Sequence, residues 1–175
     1  SFMPLKKRSN IVLIGMPGAG KSTVGVILAK QTSRGFVDTD VLIQAEQGRT
    51  LQRIVDSDGY EALRKIEEAV LLKLSVRNHV IATGGSAVYS SRAMAHLKSD
   101  GLVVYLEADL DTLAKRVGDV RNRGIAKRPD QSFSDLFAER TALYARYADL
   151  TIGCDGLDHE AVCEKIIGSL NRRSS

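Results

Sequence analysis

The 175-residue chain is poor in aromatic residues, which make up 5% of it, and it has only two cysteines. Cys154 and Cys163 match no metal-ligand spacing, so we expect two free thiols in a reducing compartment. No apolar run approaches the roughly 20 residues that a membrane-spanning helix needs. The opening residues also lack the apolar stretch of a secretory signal. We therefore expect a cytoplasmic protein with no membrane partner.

Positive charge is concentrated in one segment of the chain. The formal net charge is +4, whereas residues 115–128 alone sum to +5 because their only acid is Asp119. The basic residues there are Lys115, Arg116, Arg121, Arg123, Lys127 and Arg128. A compact basic segment without interleaved aromatic residues suits a small polyanion such as a nucleotide better than a nucleic-acid backbone. We therefore expect no nucleic-acid partner.

Short apolar runs alternate with longer helical patterns, which is typical of βαβ units around a parallel sheet. Five strands are predicted, at residues 11–14, 36–38, 80–82, 102–106 and 150–152. Helices are predicted at residues 21–31, 40–46, 60–76, 91–97, 110–117, 133–147 and 159–170. The longest of them carries an apolar stripe that we expect to pack on the sheet: Leu63, Ile66, Val70 and Leu74.

Residues 118–132 are the least regular part of the chain and overlap the basic segment. Gly124, Pro129 and clustered charges interrupt any periodicity there. An irregular stretch of this length is uncommon inside a compact domain and is often a mobile lid. Since the chain shows no repeat or low-complexity tract, we expect a single domain over residues 1–175 with a lid at about 118–132.

The stretch GMPGAGKST, residues 15–23, indicates a phosphate-binding loop between the first predicted strand and helix. Its glycines let successive backbone N–H groups turn towards phosphate oxygens, and the helix start directs its positive end at the same anion. Lys21 can reach the outer phosphates, and Ser22 can offer its hydroxyl to Mg²⁺. The alternative is a glycine turn that caps an ordinary helix. The predicted nucleotide-binding residues are Gly15, Gly18, Ala19, Gly20, Lys21, Ser22 and Thr23.

Two acids follow the second predicted strand in FVDTDVLI. Asp38 and Asp40 would lie at its carboxyl end and on the same side, because residues two apart in a strand share a face. Ligands of open α/β sheets bind beyond the carboxyl ends of the strands. Asp38 could therefore hold Mg²⁺ through its waters, and Asp40 could orient an acceptor hydroxyl and take its proton. The alternative is that one acid, Asp40 in particular, caps the following helix.

Further candidates follow the third strand and lie in two helices. Gly84 and Gly85, in ATGGSAV, allow a ligand to lie directly against the backbone, although a plain turn has the same composition. Arg64 and Arg140 are single arginines beside apolar positions. Taken alone, each is more typical of a solvated or salt-bridged surface residue than of a ligand.

Taken together, these segments resemble the shikimate kinases, P-loop phosphotransferases of the nucleoside monophosphate kinase-like group. The resemblance covers nearly the whole chain: GMPGAGKST, the acids of DTD, Arg64 in YEALRKIEE, ATGGSAV, Arg128-Pro129 and Arg140 in ERTALYARYADLTI. It implies a three-layer α/β/α P-loop fold with a five-stranded parallel sheet. It also implies Mg²⁺-dependent transfer of the γ-phosphoryl group of ATP to a ring hydroxyl of shikimate.

The resemblance also implies roles for individual residues. Asp40 would act as the base, with Lys21 and the lid residue Arg128 completing the catalytic set, and Arg116 would lie against adenine. The acceptor would be bound by Asp40 and Arg64, in a helical region at about 40–76, and by Gly84, Gly85 and Arg140. Two arginines suit a carboxylate, because a guanidinium binds carboxylate oxygens in pairs. We expect a monomer, with a dimer as the alternative.

The chain departs from the family pattern mainly around the acceptor. Ser86 stands where a third glycine is usual, Leu63 where a phenylalanine is common, and Asp130 and Gln131 where two leucines are typical. The lid also offers two competitors for the role of Arg128, namely Arg121 and Arg123. Another small carboxylated alcohol, such as homoserine or gluconate, is therefore an alternative acceptor. A nucleotide-binding regulator without turnover is a third interpretation, against which the positioned base and metal-binding residues argue.

Overall fold

The computed structural model describes residues 8–118 and 124–174 of the chain. Within these residues the core is one parallel sheet with the strand order β2-β3-β1-β4-β5. The strands are β1 (Asn10–Ile14), β2 (Gly35–Asp38), β3 (His79–Ala82), β4 (Gly101–Glu107) and β5 (Leu150–Gly153). Ile11 of the central strand β1 lies opposite Val80 on one side and Leu102 on the other. The predicted five-stranded parallel sheet is confirmed.

Eight α-helices and one short 3₁₀ helix accompany this sheet in the described residues. The first four are α1 (Lys21–Gln31), α2 (Thr39–Gln47), α3 (Leu51–Asp58) and α4 (Tyr60–Lys73). The 3₁₀ helix (Ala87–Tyr89) follows β3. The others are α5 (Ser91–Lys98), α6 (Leu110–Val117), α7 (Phe133–Tyr147) and α8 (His159–Ser174). In the described part of the chain, no helix is both long enough and apolar enough to cross a membrane.

The order of the strands creates a crevice at the carboxyl end of β1. The chain first builds β2 and β3 on one side of β1 and then adds β4 and β5 on the other side. Such a change of direction leaves a gap between the loops that leave neighbouring strands, and ligands of α/β sheets bind there. The loop between β1 and α1 lies at this point, directly after a strand that is buried along its whole length.

The helical region after β2 has an apolar core of its own. Its buried residues are Ile43, Ile54, Leu63, Val70 and Ala126, and Ile66 packs against them. Only Leu74 of the predicted α4 stripe packs against the main cluster around the sheet. The expectation that this stripe packs on the sheet is therefore wrong for most of its length. The reason is that α2 and α3 present a second apolar surface to α4.

Helix α3 was not predicted from the sequence. Five of its eight residues are polar and it lies between Gly48 and Gly59, a composition that is typical of a loop. The side chain of Thr50 caps its start by accepting a hydrogen bond from the backbone N–H of Arg53 at 3.2 Å. Helix α4 ends at Lys73, three residues before its predicted end, because Leu74 has an extended backbone with φ −66° and ψ 122°.

Candidate active site

The phosphate-loop sequence lines a cavity of about 700 Å³ at the carboxyl end of β1. Gly20 precedes the first residue of α1 with φ +91°, a left-handed conformation that glycine adopts without a steric penalty. Among the predicted nucleotide-binding residues, Gly15 and Ala19 do not line this cavity, and Ala19 is buried beneath the loop. The residues that line it are Pro17, Gly18, Gly20, Lys21, Ser22, Thr23, Asp40, Thr83, Arg116, Val117, Leu157, Asp158 and His159.

Lys21 reaches back over the loop from the first turn of α1. Its Nζ donates hydrogen bonds to the carbonyl oxygens of Gly15 at 2.6 Å and Met16 at 2.9 Å. Burial lowers the pKa of Lys21 from 10.5 to about 8, and the nearby Asp40 carboxylate opposes this change. The ammonium group is thus held in a poorly solvated position, where its interaction with an anion is strong.

Asp38 connects the loop to the end of β2. Its Oδ2 accepts a hydrogen bond of 2.6 Å from the Ser22 hydroxyl, while its Oδ1 accepts from the backbone N–H groups of Asp40 and Val41. The helix cap is therefore Asp38, and the alternative that Asp40 caps this helix is wrong. Strand β2 ends at Asp38, so Asp40 belongs to α2 and the expected sharing of one strand face does not apply.

The Ser22 hydroxyl and the Asp38 carboxylate fit the ligand preference of Mg²⁺. Both supply oxygen atoms, and they lie 2.6 Å apart at the mouth of the phosphate loop. Among the described residues, no group of three histidine, cysteine or acidic side chains is close enough to hold a metal ion by itself. A Mg²⁺ ion at this position would take most of its ligands from phosphate and water, as is usual for this ion.

Asp40 lies between the nucleotide cavity and a second, smaller cavity of about 90 Å³. Its carboxylate faces Gly84, where a side-chain carbon would lie only 2.7 Å from Asp40 Oδ1. Burial raises the pKa of Asp40, whereas the Lys21 ammonium lowers it. The second cavity is lined by Pro17, Lys21, Asp40, Leu51, Leu63, Glu67, Gly85, Ser86, Gly124, Ile125, Ala126 and Arg140.

Glu67 is an acid of the second cavity that the sequence analysis missed. It is 3% exposed, and the hydroxyl of Ser86 donates a short hydrogen bond to its Oε1. Burial raises its pKa to about 7, with a further contribution from Asp40, and the Ser86 hydrogen bond opposes both. The available signal was its spacing, since Glu67 is three residues after Arg64 and therefore shares a helix face with it.

Arg64 and Arg140 converge on one backbone carbonyl at the edge of the second cavity. Arg64 Nη2 donates to the oxygen of Ala126 at 3.2 Å, and Arg140 Nη2 donates to the same oxygen at 2.8 Å. Arg140 is 1% exposed, and its Nη1 lies so close to Gly85 that no side chain would fit there. Each arginine alone is typical of a solvated surface residue, but the structure shows that neither of them is one.

Arg116 of α6 and Arg128 of the lid, the two basic residues predicted to act on the nucleotide, lie in different surroundings. Arg116 Nη1 donates to the carbonyl oxygen of Gly18 at 3.1 Å and lines the nucleotide cavity. Arg128 is exposed and lines neither of the two cavities, and its Nη1 lies 3.9 Å from Oε1 of Glu139. Its predicted role in transfer stays a prediction. Its competitors Arg121 and Arg123 lie outside the described residues.

Residues at the start of α8 form one wall of the nucleotide cavity, and they were not predicted from the sequence. Leu157, Asp158 and His159 line the cavity, and the imidazole of His159 lies against Gly20. No local motif marks these residues, because they reach the loop only through the packing of α8 on α1.

Comparisons with known proteins agree on one family. The family model described as shikimate kinase matches residues 17–171. A shikimate kinase of Thiobacillus denitrificans is 36% identical over 151 residues, which are 85% of this chain and 82% of that protein. A solved shikimate kinase of Acinetobacter baumannii in complex with shikimate has a TM-score of 0.87 at 33% identity and covers 94% of each chain. The shikimate kinase structure of Aquifex aeolicus has a TM-score of 0.81 at 32% identity, covering 94% of this chain and 98% of its own.

Proposed function

This chain belongs to the shikimate kinase family and is an ATP-dependent kinase that acts on an alcohol group, and we propose that its acceptor is shikimate. The observation that carries this proposal is the convergence of Arg64 and Arg140 on one carbonyl oxygen, at the edge of a cavity that Asp40 shares with the phosphate loop. Two converging guanidinium groups select a carboxylate. The shared Asp40 puts a base between that carboxylate site and the nucleotide.

The acceptor carboxylate would take the place that the Ala126 carbonyl oxygen holds between the two arginines. This exchange is favourable because a carboxylate forms stronger hydrogen bonds to a guanidinium than a neutral carbonyl does. The backbone at Gly84 and Gly85 would then lie along the ring of the acceptor. Glu67, buried beside Asp40, would accept a hydrogen bond from another ring hydroxyl. The ring is thereby fixed by its carboxylate on one side and by its hydroxyls on the other.

Asp40 would accept the proton of the attacking hydroxyl. The pKa of its carboxyl is raised by burial, which makes Asp40 a better base than a solvated aspartate. Lys21, which lines both cavities, would bind the phosphoryl group as it passes from donor to acceptor. Both groups are held before substrates arrive, so little reorganisation is needed during transfer.

On the donor side, the backbone N–H groups of Gly15, Gly18, Ala19 and Gly20 and the hydroxyl of Thr23 would bind the triphosphate. Ser22 and Asp38 would hold Mg²⁺, which when bound neutralises charge on the outer phosphates. Arg116 would lie against adenine. Arg128 would reach the phosphates only after the lid moves, since its side chain lies at Glu139 in this structure.

The proposal includes the organisation of the chain. Residues 1–175 would form one kinase domain, with an acceptor-binding region at about 40–76 and a lid at about 118–132, of which residue 118 and residues 124–132 are described. One chain supplies both cavities, which supports a monomer as the active unit. Free, buried Cys154 and Cys163 support a reducing compartment and hence the cytoplasm.

A coupled assay of ADP release tests the acceptor directly. The purified chain is supplied with ATP, Mg²⁺ and, in separate reactions, shikimate, homoserine or gluconate. We expect turnover with shikimate alone. Turnover with one of the other alcohols would name a different acceptor for the same fold. No turnover with any of them, together with measurable ATP binding, would favour the regulator.

A further inference from the structure

We propose that Tyr89 is a positioning residue that holds Arg64 and Arg140 side by side for the carboxylate of the acceptor. This inference rests on the proposed function, because it names what organises the two arginines of the acceptor cavity. The centroid of the Tyr89 ring lies 3.8 Å from Cζ of Arg64 and 5.5 Å from Cζ of Arg140. One aromatic ring therefore makes a cation–π contact with both guanidinium groups.

Two cations that share a binding point repel each other. The Glu139 carboxyl group acts on Arg64, and those of Asp40 and Glu67 act on Arg140, but only through space and without an ion pair. Arg64 and Arg140 both donate to the Ala126 oxygen, and no carboxylate of the described residues lies within 4.0 Å of either guanidinium. The Nε atoms of both are buried without a hydrogen-bond partner in this part of the chain. The electron-rich face of an aromatic ring attracts a cation, and more strongly where water is excluded.

The backbone places Tyr89 where it can reach both arginines. It is the last residue of the 3₁₀ helix, whose turn packs between α4 and α7, the helices that carry Arg64 and Arg140. Tyr60 lies one turn before Arg64 on α4, and the centroid of its ring is 5.1 Å from Cζ of Arg64. Tyr60 contacts one guanidinium at the longer distance, so it offers a matched control for Tyr89.

The proposed role belongs to the ring of Tyr89 and not to its hydroxyl. The hydroxyl oxygen is buried and has no hydrogen-bond partner among the described residues. A phenylalanine would keep the aromatic face and lose no hydrogen bond. A leucine would remove the face, and the existing cavity of about 330 Å³ beside Tyr89 gives the surrounding side chains room to adjust.

The first test compares Tyr89→Leu, Tyr89→Phe and Tyr60→Leu with the wild-type chain in steady-state kinetics. We expect Tyr89→Leu to raise the KM for shikimate about tenfold, with kcat and the KM for ATP changed less than about twofold. Tyr89→Phe should stay within about twofold of wild type in every constant, and Tyr60→Leu should raise the KM for shikimate by about threefold or less. An unchanged KM in Tyr89→Leu overturns the inference.

A second measurement separates positioning from a general structural effect. The methyl ester of shikimate lacks the charged carboxylate, so its KM should be the same in Tyr89→Leu as in the wild type. An equal loss for acid and ester overturns the inference. If Tyr89→Leu does not fold, phenylalanines with increasing fluorination at position 89 keep the ring while weakening its attraction for cations. The KM for shikimate should then rise stepwise with fluorination, and a flat series overturns the inference. A wild-type chain that binds ATP but does not phosphorylate shikimate would instead overturn the proposed function.

Discussion

The nucleotide cavity and the acceptor cavity meet at Asp40 but are built in different ways. The phosphate-binding side of the nucleotide cavity is formed by one continuous loop and the first turn of α1, so neighbouring residues in the sequence are neighbours in space there. The acceptor cavity is formed by side chains from α3, α4, α7 and the residues after β3. The phosphate-binding part of the donor site is therefore a local structure, whereas the acceptor site exists only after the helices have packed.

This difference agrees with the expectation from the sequence that departures from the family pattern lie mainly around the acceptor. A phosphate loop binds with backbone N–H groups, so it depends on glycine positions and tolerates little change. The acceptor cavity binds with side chains, so a neighbouring side chain can compensate for the substitution of one residue. Ser86 illustrates this, because its hydroxyl is paired with the buried carboxylate of Glu67.

Replacing Asp40 should have the largest effect, because Asp40 belongs to both cavities. In Asp40→Asn we expect kcat to fall about 10³-fold, since general base catalysis contributes on the order of 10² to 10⁴. The Kd for ATP, measured by calorimetry, should change less than about threefold. The matched variant is Lys21→Ala, which should weaken ATP binding about tenfold as well as lower kcat. Wild-type turnover in Asp40→Asn would show that another group takes the proton.

Replacing Arg64 should affect the acceptor side alone. In Arg64→Ala we expect the KM for shikimate to rise about 10- to 100-fold, because a hydrogen bond to a charged group contributes about 1.5–3 kcal/mol. The KM for ATP should stay within about twofold. Steady-state kinetics with each substrate varied in turn measures both. A parallel rise in the KM for ATP would contradict the separation of the two cavities.

Replacing Glu67 should reveal a stability difference that depends on pH. The folded chain keeps the proton of Glu67 up to about pH 7, whereas the unfolded chain loses it near the ordinary glutamate pKa of 4.5. The folded state therefore binds the proton more strongly, and the wild type loses stability as the pH rises from about 4.5 to 7. Glu67→Gln stays neutral, so its Tm should exceed that of the wild type by several degrees at pH 8 and by much less at pH 5. Thermal melts at both values measure this, and an equal difference at each pH would contradict the assigned proton.

Replacing Ser86 should have the smallest effect. Ser86→Gly restores the glycine usual in the family and removes the hydroxyl that lowers the pKa of Glu67. We expect the KM for shikimate to change about threefold and the kinetic pKa of Glu67 to rise. A pH profile of kcat/KM detects the second effect, and Ser86→Ala separates the lost hydroxyl from the added backbone freedom. An unchanged profile in both variants would mean that Ser86 does not tune Glu67.

The sequence predicted the local part of the molecule and missed the part that depends on tertiary packing. The five strands and the phosphate loop follow from short-range patterns, and the position of Lys21 follows from the loop itself. Arg64 and Arg140 were found through the resemblance, because each arginine alone is typical of a surface position. No local pattern marks Tyr89, and none marks Glu67 as a site residue although it lies within YEALRKIEE. Both gain their positions from contacts between α4, α7 and the 3₁₀ helix. Helix α3 was missed because its polar residues and flanking glycines are typical of a loop.

The position of Asp40 and Lys21 in the lining of both cavities has a consequence for inhibitor design. A single molecule that joined a nucleotide fragment to a carboxylated ring would need only a short linker past these two side chains. Each half would raise the effective concentration of the other at its own site, so affinity would grow without any new contact. The carboxylated half of such bisubstrate compounds would carry most of their selectivity, because it would meet the side chains of Arg140 and Glu67, whereas the nucleotide half would meet a phosphate loop of a common kind.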